Sequence, residues 1–458
     1  MRFNFWLRTP LLISVAFLTS MLFADDLRSR ATMQDVQLSD STPYDNRAVI
    51  RYDAQGNGYI AWNVQKLDHL PNHGVFVARY DAERGRAGDP FVYIRDQYML
   101  DMIAPDSESV TLLLQRREGL ERFDNADSNI YFQFQNSYNV LDIVRFSTDG
   151  RELFRTALVG NEGVDAEAYF LCRMSSLARL GFDGETYSVY AEYCTNNTSE
   201  RTPDVHEGDY FVQIDARGRK VHGTEDHLSA SHSSISSMII PDRNETYTMT
   251  IGDGSPYGLQ VRRYSSGRKI FTVVPYPDQD HLPYDDMYAE AESATDAGLV
   301  GSFVVRGDYI IAVMSTVETN RHPIKDQPAD LLFLKLDRET GRTIESKWLT
   351  RTEQTDESMP YLMNYGEHLL LVYNISDEDF MIKEAAHLAV LNDEGNFIKN
   401  PIKTDLKVDA HSRFFYYPDG DVGWVRVEGY QAVAQVIRVD VPEGNDENSE
   451  NDIIRTRN

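Results

Sequence analysis

The stretch Val77-Ala78-Arg79-Tyr80-Asp81-Ala82-Glu83-Arg84-Gly85 alternates for four residues and then runs through a polar turn that ends in glycine. That is the signature of a β-strand followed by a tight reversal. The same pattern returns at Ile143–Phe146 before Gly150, Phe211–Ile214 before Gly218 and Val261–Tyr264 before Gly267. Leu334–Leu336 before Gly341 and Leu388–Leu391 before Gly395 follow, and Val436–Val439 is the last copy. Ahead of each copy stands a second β-rich run: Gly58–Trp62, Val110–Leu114, Thr186–Tyr193, Thr246–Ile251, Asp308–Met314, His368–Tyr373 and Gly423–Val427. Turns such as Asp53-Ala54-Gln55-Gly56-Asn57 and Asp183-Gly184 join these runs to one more strand upstream, because Asp, Asn and Gly accept left-handed backbone angles.

A fourth strand follows each glycine turn except the last, as at Phe91–Ile94 or Thr343–Leu349. Four sequential antiparallel strands, seven times over, expose two apolar faces per unit and must stack on neighbours. Radial stacking is the usual solution. The expected fold is therefore all-β, a seven-bladed β-propeller of four-stranded antiparallel blades. An open sandwich or a pair of β domains is the alternative, and the chain has no Pro/Gly/Ser-rich linker to divide two domains. Over nearly its whole mature length the sequence resembles β-propeller proteins of the bacterial secreted type. The resemblance is architectural, since neither a WD dipeptide nor a kelch double glycine stands at the required places, and it carries no ligand.

The seventh unit lacks its outer strand. Met33, Val36 and Leu38 supply the pattern of one ahead of the first unit, so residues 33–38 are expected to close the ring and remove both open edges. Residues 25–441 then form the propeller, and 442–458 read as an acidic flexible tail.

Residues 1–24 differ from everything after them. Arg2 and Arg8 precede an almost continuously apolar run, Leu11–Phe23, and Ala24 stands before Asp25 and Asp26. That is the layout of a secretory signal peptide, so the expected location is periplasmic or extracellular. No later segment is apolar enough to cross a bilayer. Cys172 and Cys194 are the only cysteines, and in an exported protein they are expected to form one disulfide. The argument for this pairing is that both lie equally far from the Asp183-Gly184 turn. The 458 residues carry a formal net charge of −27, which repels phosphate backbones and argues against nucleic acid as a partner. The chain reads as a monomer.

In such a topology the second-to-third and fourth-to-first connections share one face, and here they are long: residues 63–72, 116–138, 195–208, 277–296, 316–329 and 375–386. Long loops carry binding and catalytic groups more often than tight turns do, so a ligand is expected on that face. The richest loop bears Asp280, His281, Asp285 and Asp286, an oxygen-rich set that can hold Ca²⁺ or another divalent metal. Its ordinary reading is a solvated acidic loop. His232, Glu357 and His411 precede inner strands and can converge on the channel mouth as ligand-binding or acid–base groups, or simply tie blades together. An anionic ligand would need a local arginine cluster, for which Arg116, Arg117 and Arg122 are candidates.

Together these features point to a binding or scaffold protein that recognises a protein, peptide or glycan. A channel-mouth enzyme of hydrolase or lyase type is the alternative, because propellers host both.

Overall fold

The computed structural model describes residues 31–36, 43–64, 74–116, 140–159, 169–171, 178–197, 204–221, 226–228, 234–242, 244–252, 258–265, 268–276, 301–317, 328–352, 355–376, 386–406, 408, 412–428 and 431–437. They form seven antiparallel sheets with no helix among them. An N-terminal strand, β1 (Ala31–Val36), belongs to the last of these. Blade 1 holds β2 (Pro43–Tyr52), β3 (Gly58–Val64), β4 (Gly74–Asp81) and an outer strand in two pieces, β5 (Arg86–Ala87) and β6 (Val92–Arg95), both paired to β4. Blade 2 holds β7 (Gln97–Asp106), β8 (Ser109–Arg116), β9 (Val140–Ser147) and β10 (Glu152–Val159). In blade 3 the inner strand is divided: β11 (Tyr169–Leu171) and β12 (Arg179–Phe182) both pair with β13 (Thr186–Asn197), followed by β14 (Asp204–Asp215) and β15 (Asp226–Leu228).

Blade 4 runs β16 (Ser234–Asp242), β17 (Glu245–Gly252), β18 (Gly258–Ser265), β19 (Arg268–Tyr276). Blade 5 runs β20 (Phe303–Arg306), β21 (Tyr309–Thr316), β22 (Asp330–Asp337), β23 (Thr343–Trp348). Blade 6 runs β24 (Asp356–Tyr365), β25 (His368–Ser376), β26 (His387–Leu391), β27 (Phe397–Lys403). Blade 7 has three strands of its own, β28 (Phe415–Tyr416), β29 (Val422–Glu428) and β30 (Gln431–Ile437), and β1 completes it. The closing strand pairs antiparallel with β30 from Ala31↔Ile437 to Val36↔Ala432, two residues earlier than the sequence pattern places it.

Apolar contacts bind each sheet to the next. Middle strands are buried on both faces because each is sandwiched between two neighbours, so β21 (YIIAVMST) reads as a continuous apolar run. Outer strands have one wet face and alternate, as β6 does with Val92 and Ile94 buried and Tyr93 and Arg95 exposed. Ile50, Trp62 and Tyr80 of blade 1 pack against Phe415, Val425 and Val436 of blade 7, so the ring is shut by a packed seam as well as by β1. The seam between blades 3 and 4 adds a polar cluster to its apolar contacts. There the Ser188 and Thr246 hydroxyls lie 2.9 Å apart, Gln213 Nε2 donates to both, and Phe211 stacks on Tyr264 at 3.9 Å.

The short turns of one face repeat a single device. Asp53 Oδ1 accepts the Gln55 and Asn57 amides, Asp215 Oδ1 those of Arg217 and Arg219, and Asn392 Oδ1 those of Glu394 and Asn396. In each, a glycine takes the left-handed position: Gly56 at φ 84°, Gly218 at 82°, Gly395 at 67°.

The face carrying the longer connections differs from expectation in one loop. Residues 195–208 are largely strand, with Thr195↔His206, Asn196↔Val205 and Asn197↔Asp204 in register, which lengthens the β13–β14 hairpin. The symmetry argument for the disulfide also changes. Phe170, not Cys172, stands opposite Cys194, because the chain leaves the ladder between Leu171 and Arg179 and consumes extra residues there. Cys172 itself lies outside the described residues, as do residues 1–30 and 438–458.

Candidate functional site

The first strands of all seven sheets line one cavity of about 420 Å³, which identifies it as the central channel. Its walls are set by position along those strands. Arg179, Ile239, Phe303, Leu362 and Arg413 each stand three residues before the last ladder pair of their first strand, and all five line the cavity. Two blades therefore present a guanidinium on a rung where three others present an apolar side chain.

Arg179 and Arg413 are both buried, 6% and 7% exposed, and they meet. Arg413 Nη2 reaches from blade 7 across the channel to the Ala178 carbonyl of blade 3 at 3.4 Å, and Arg179 Nη1 donates to the same oxygen at 3.4 Å. Arg179 Nε points at the Met238 sulfur, 3.4 Å away, and a thioether is a weak acceptor. Arg51 of blade 1 is the third guanidinium, and Asp101 of blade 2 holds it: Nη2 to Oδ1 is 3.2 Å. Burial pushes the Arg51 guanidinium down from its ordinary value, and the neighbouring Asp101 charge opposes that. Asp101 is 2% exposed and also accepts the Met102 amide (2.9 Å) and the Leu180 amide (3.1 Å), so one carboxylate joins blades 1, 2 and 3.

Asp242, at the end of β16, is the other lining carboxylate, and Arg338 of blade 5 engages it at 2.7 Å. Arg338 also meets Glu245 at 2.9 Å. Burial alone would raise the Glu245 carboxyl, but hydrogen bonds from Arg263, Tyr247 and Arg338 hold it down at about 2. Both lining carboxylates thus already have an arginine.

The remaining wall is apolar and aromatic. Tyr361 and Phe414 lie with ring centroids 4.7 Å apart, and the Tyr416 hydroxyl accepts the Asn364 amide at 3.0 Å. Ser302 is fixed by donating to the Leu362 carbonyl (2.7 Å) and accepting the Leu362 amide (2.7 Å). The cavity reaches Asp242, Asn364 and Tyr416, beside the tight turns.

Among the channel-mouth and acidic-loop candidates singled out from sequence, Glu357 is the one whose side chain is described. It does not line the cavity. It is 3% exposed in the seam between blades 5 and 6, where Thr350 Oγ1 hydrogen-bonds its carboxyl and its amide donates to the Ala329 carbonyl (2.8 Å). A bulge explains why it turns away: the register gains one residue between Ser358↔Asn374 and Tyr361↔Val372, with Met359 at φ 51°. Without the extra residue, positions 357 and 361 would share a face. Glu357 therefore ties two blades, the plainer of its two readings. His232, Asp280, His281, Asp285, Asp286 and His411 lie outside the described residues. No group of three His, Cys, Asp or Glu side chains with metal-ligating geometry occurs among the described residues.

Arg116 belongs elsewhere: with Arg155 it brackets the buried Asp142 at 2.8 and 2.9 Å, and Arg117 and Arg122 are outside the described residues. The arginines that do converge, at positions 179 and 413, have a sequence signal. Aligning the seven first strands on their following turns puts both on one rung.

Burial and the nearby Asp330 charge push the Glu357 carboxyl up to about 7, against the lowering hydrogen bond from Thr350. Its folded value thus exceeds the unfolded one. The stability this proton confers is fully present below the unfolded value and is lost as pH rises through about 7. Glu357→Gln cannot ionise, so its advantage over the native protein should grow from near nothing at pH 4 to on the order of 2–3 kcal/mol at pH 8.5. Urea unfolding at the two pH values measures this, and a difference that stays flat with pH removes the ionisation argument.

No family model matches the chain, and no curated protein matches it. Solved structures share the general architecture. The AfRom2 CNH domain is 10% identical, over 90% of this chain and 100% of that one, with a TM-score of 0.43. A prolyl endopeptidase is 10% identical over 93% of this chain and 52% of that one, at 0.44. The NanB sialidase from Streptococcus pneumoniae is 9% identical over 90% and 71%, at 0.38. These likenesses carry neither ligand nor reaction to this chain.

Proposed function

We propose that the protein is an exported, noncatalytic binding protein that holds its ligand, the free end of a peptide or glycan or a small molecule, in the central channel. The observation that carries this reading is the cavity itself. It draws on all seven blades, has the size of a small-ligand site, and combines cationic groups with an aromatic wall. Its lining supplies recognition rather than chemistry. Among the described residues, both lining carboxylates, Asp101 and Asp242, are engaged by arginines, and the Ser302 hydroxyl is held by backbone. Export accords with the N-terminal apolar segment and with two cysteines available for one disulfide.

A channel-plugging variant tests it. Asn364 is exposed at the cavity and its side chain makes no described hydrogen bond, so Asn364→Trp should obstruct entry without repacking the core. A peptide and glycan library screened by thermal shift should give compounds that stabilise the native protein and leave the plugged one unmoved. Compounds that stabilise both equally would put the site on the rim. Turnover of a stabilising compound would establish the hydrolase or lyase reading instead.

A further inference from the structure

We infer that the seam between blades 3 and 4 binds a small monovalent inorganic anion, of the chloride class, at Arg262 and Thr248. The site is separate from the channel and does not depend on the channel reading. Three observations carry it: a charge on a rung that is otherwise core, the neutrality of its partners, and two buried polar atoms left unsatisfied.

The repeat places an apolar side chain where Arg262 stands. Aligned on the residue that ends each third strand (Asp81, Ser147, Asp215, Ser265 and Asp337), the position three earlier is Ala78, Val144, Val212, Arg262 and Leu334. The four apolar residues are fully buried and belong to clusters shared with the preceding blade. Blade 4 puts a guanidinium there, 3% exposed. It shares a face with Tyr264, two residues on, which stacks on Phe211 of blade 3, so Arg262 is turned into that seam.

An arginine keeps its charge, and a buried charge is costly unless something compensates it. The partners of Arg262 do not: Nη1 donates to Thr250 Oγ1 at 3.1 Å and Nη2 to the Gln260 side-chain oxygen, both neutral. Among the described residues its Nε is buried without a hydrogen-bond partner. Thr248 is the cross-strand partner of Arg262 and is 0% exposed, and its hydroxyl is also buried and unsatisfied. A cationic N–H beside a hydroxyl on one rung is the donor set of an anion site. Water could satisfy both atoms but would leave the charge, whereas an anion answers both needs. Thr246, Thr250 and Gln260 around the pair are at most 1% exposed, so the closed seam suits an ion of few atoms rather than an organic acid.

Melting curves of the full chain, with sodium chloride exchanged for sodium gluconate at constant ionic strength, read occupancy through the linkage of binding to stability. Arg262→Leu, which installs the side chain that blade 5 carries at this position, is the reference, because general salt effects act on both proteins alike. Relative to it, the native Tm should rise with chloride and level off as the site fills, and bromide should act as chloride does. Thr248→Val should raise the half-saturating chloride concentration at least threefold, while Asn364→Trp in the channel should keep the native response. Crystals soaked in bromide give a readout that needs no variant: an anomalous peak within hydrogen-bonding reach of Arg262 Nε and Thr248 Oγ1. Identical chloride responses in the native protein and Arg262→Leu overturn the inference. Should Arg262→Leu fail to fold, the bromide peak decides, and its absence from the seam overturns the site and leaves Arg262 a hydrated structural cation.

Discussion

A protein lacking residues 25–36 should lose most of its stability and aggregate, while one lacking residues 445–458 should melt within about 1 °C of the full chain. The asymmetry follows from β1. Its six residues, Ala31 to Val36, pair with six of the seven residues of β30, from Ile437 to Ala432. Removing them forfeits a ladder of six cross-strand pairs, at roughly 0.5–1 kcal/mol each. Against a typical total of about 5–15 kcal/mol that is a large share. The seam of Ile50, Trp62 and Tyr80 with Phe415, Val425 and Val436 would survive, so the ring need not fall apart at once. It would, however, present Gln431–Ile437, an apolar β-prone segment, as an open edge, and such edges recruit other chains. Urea titration and size-exclusion chromatography of the two truncations provide the measurement. Equal midpoints would mean that the packed seam, not the strand exchange, holds the ring shut.

The closure was legible in the sequence because it is a matter of counting. Seven third strands recur, only six are followed by a glycine turn and an outer strand, and the spare strand stands at the other end of the chain. Turn chemistry is local, so Asp53, Asp215 and Asn392 advertise it directly. The site was less legible, for a physical reason. Whether an inner-strand residue faces the channel or a seam depends on parity, and a single inserted residue reverses it. Glu357 was a sound candidate until the bulge at Met359 turned it into the seam between blades 5 and 6. Asp101 follows a register shift between Met99 and Asp101, which the alternation of the surrounding residues does not announce. The long loops drew attention through their composition, yet the described cavity is walled by strands. Length and polarity mark where a chain can vary, whereas a rung shared by Arg179 and Arg413 shows only when repeats are superposed residue on residue.

Asp101→Ala should be the most destabilising single substitution in the channel, by about 3–5 kcal/mol, because it strands a buried partner. The side chain joins three blades at once: it accepts Arg51 from blade 1, Met102 within blade 2 and the Leu180 amide from blade 3. Alanine would leave Arg51 without its carboxylate and the Leu180 amide without an acceptor, in a channel that already holds two further guanidinium groups. Asparagine separates the contributions. It keeps an oxygen for the amides and similar bulk, but it removes the charge, so Asp101→Asn should cost about 1–3 kcal/mol. Chemical denaturation of both variants beside the native protein gives the comparison. Equal losses in the two would show that the carboxylate's charge contributes nothing and that its amide contacts hold the three blades together.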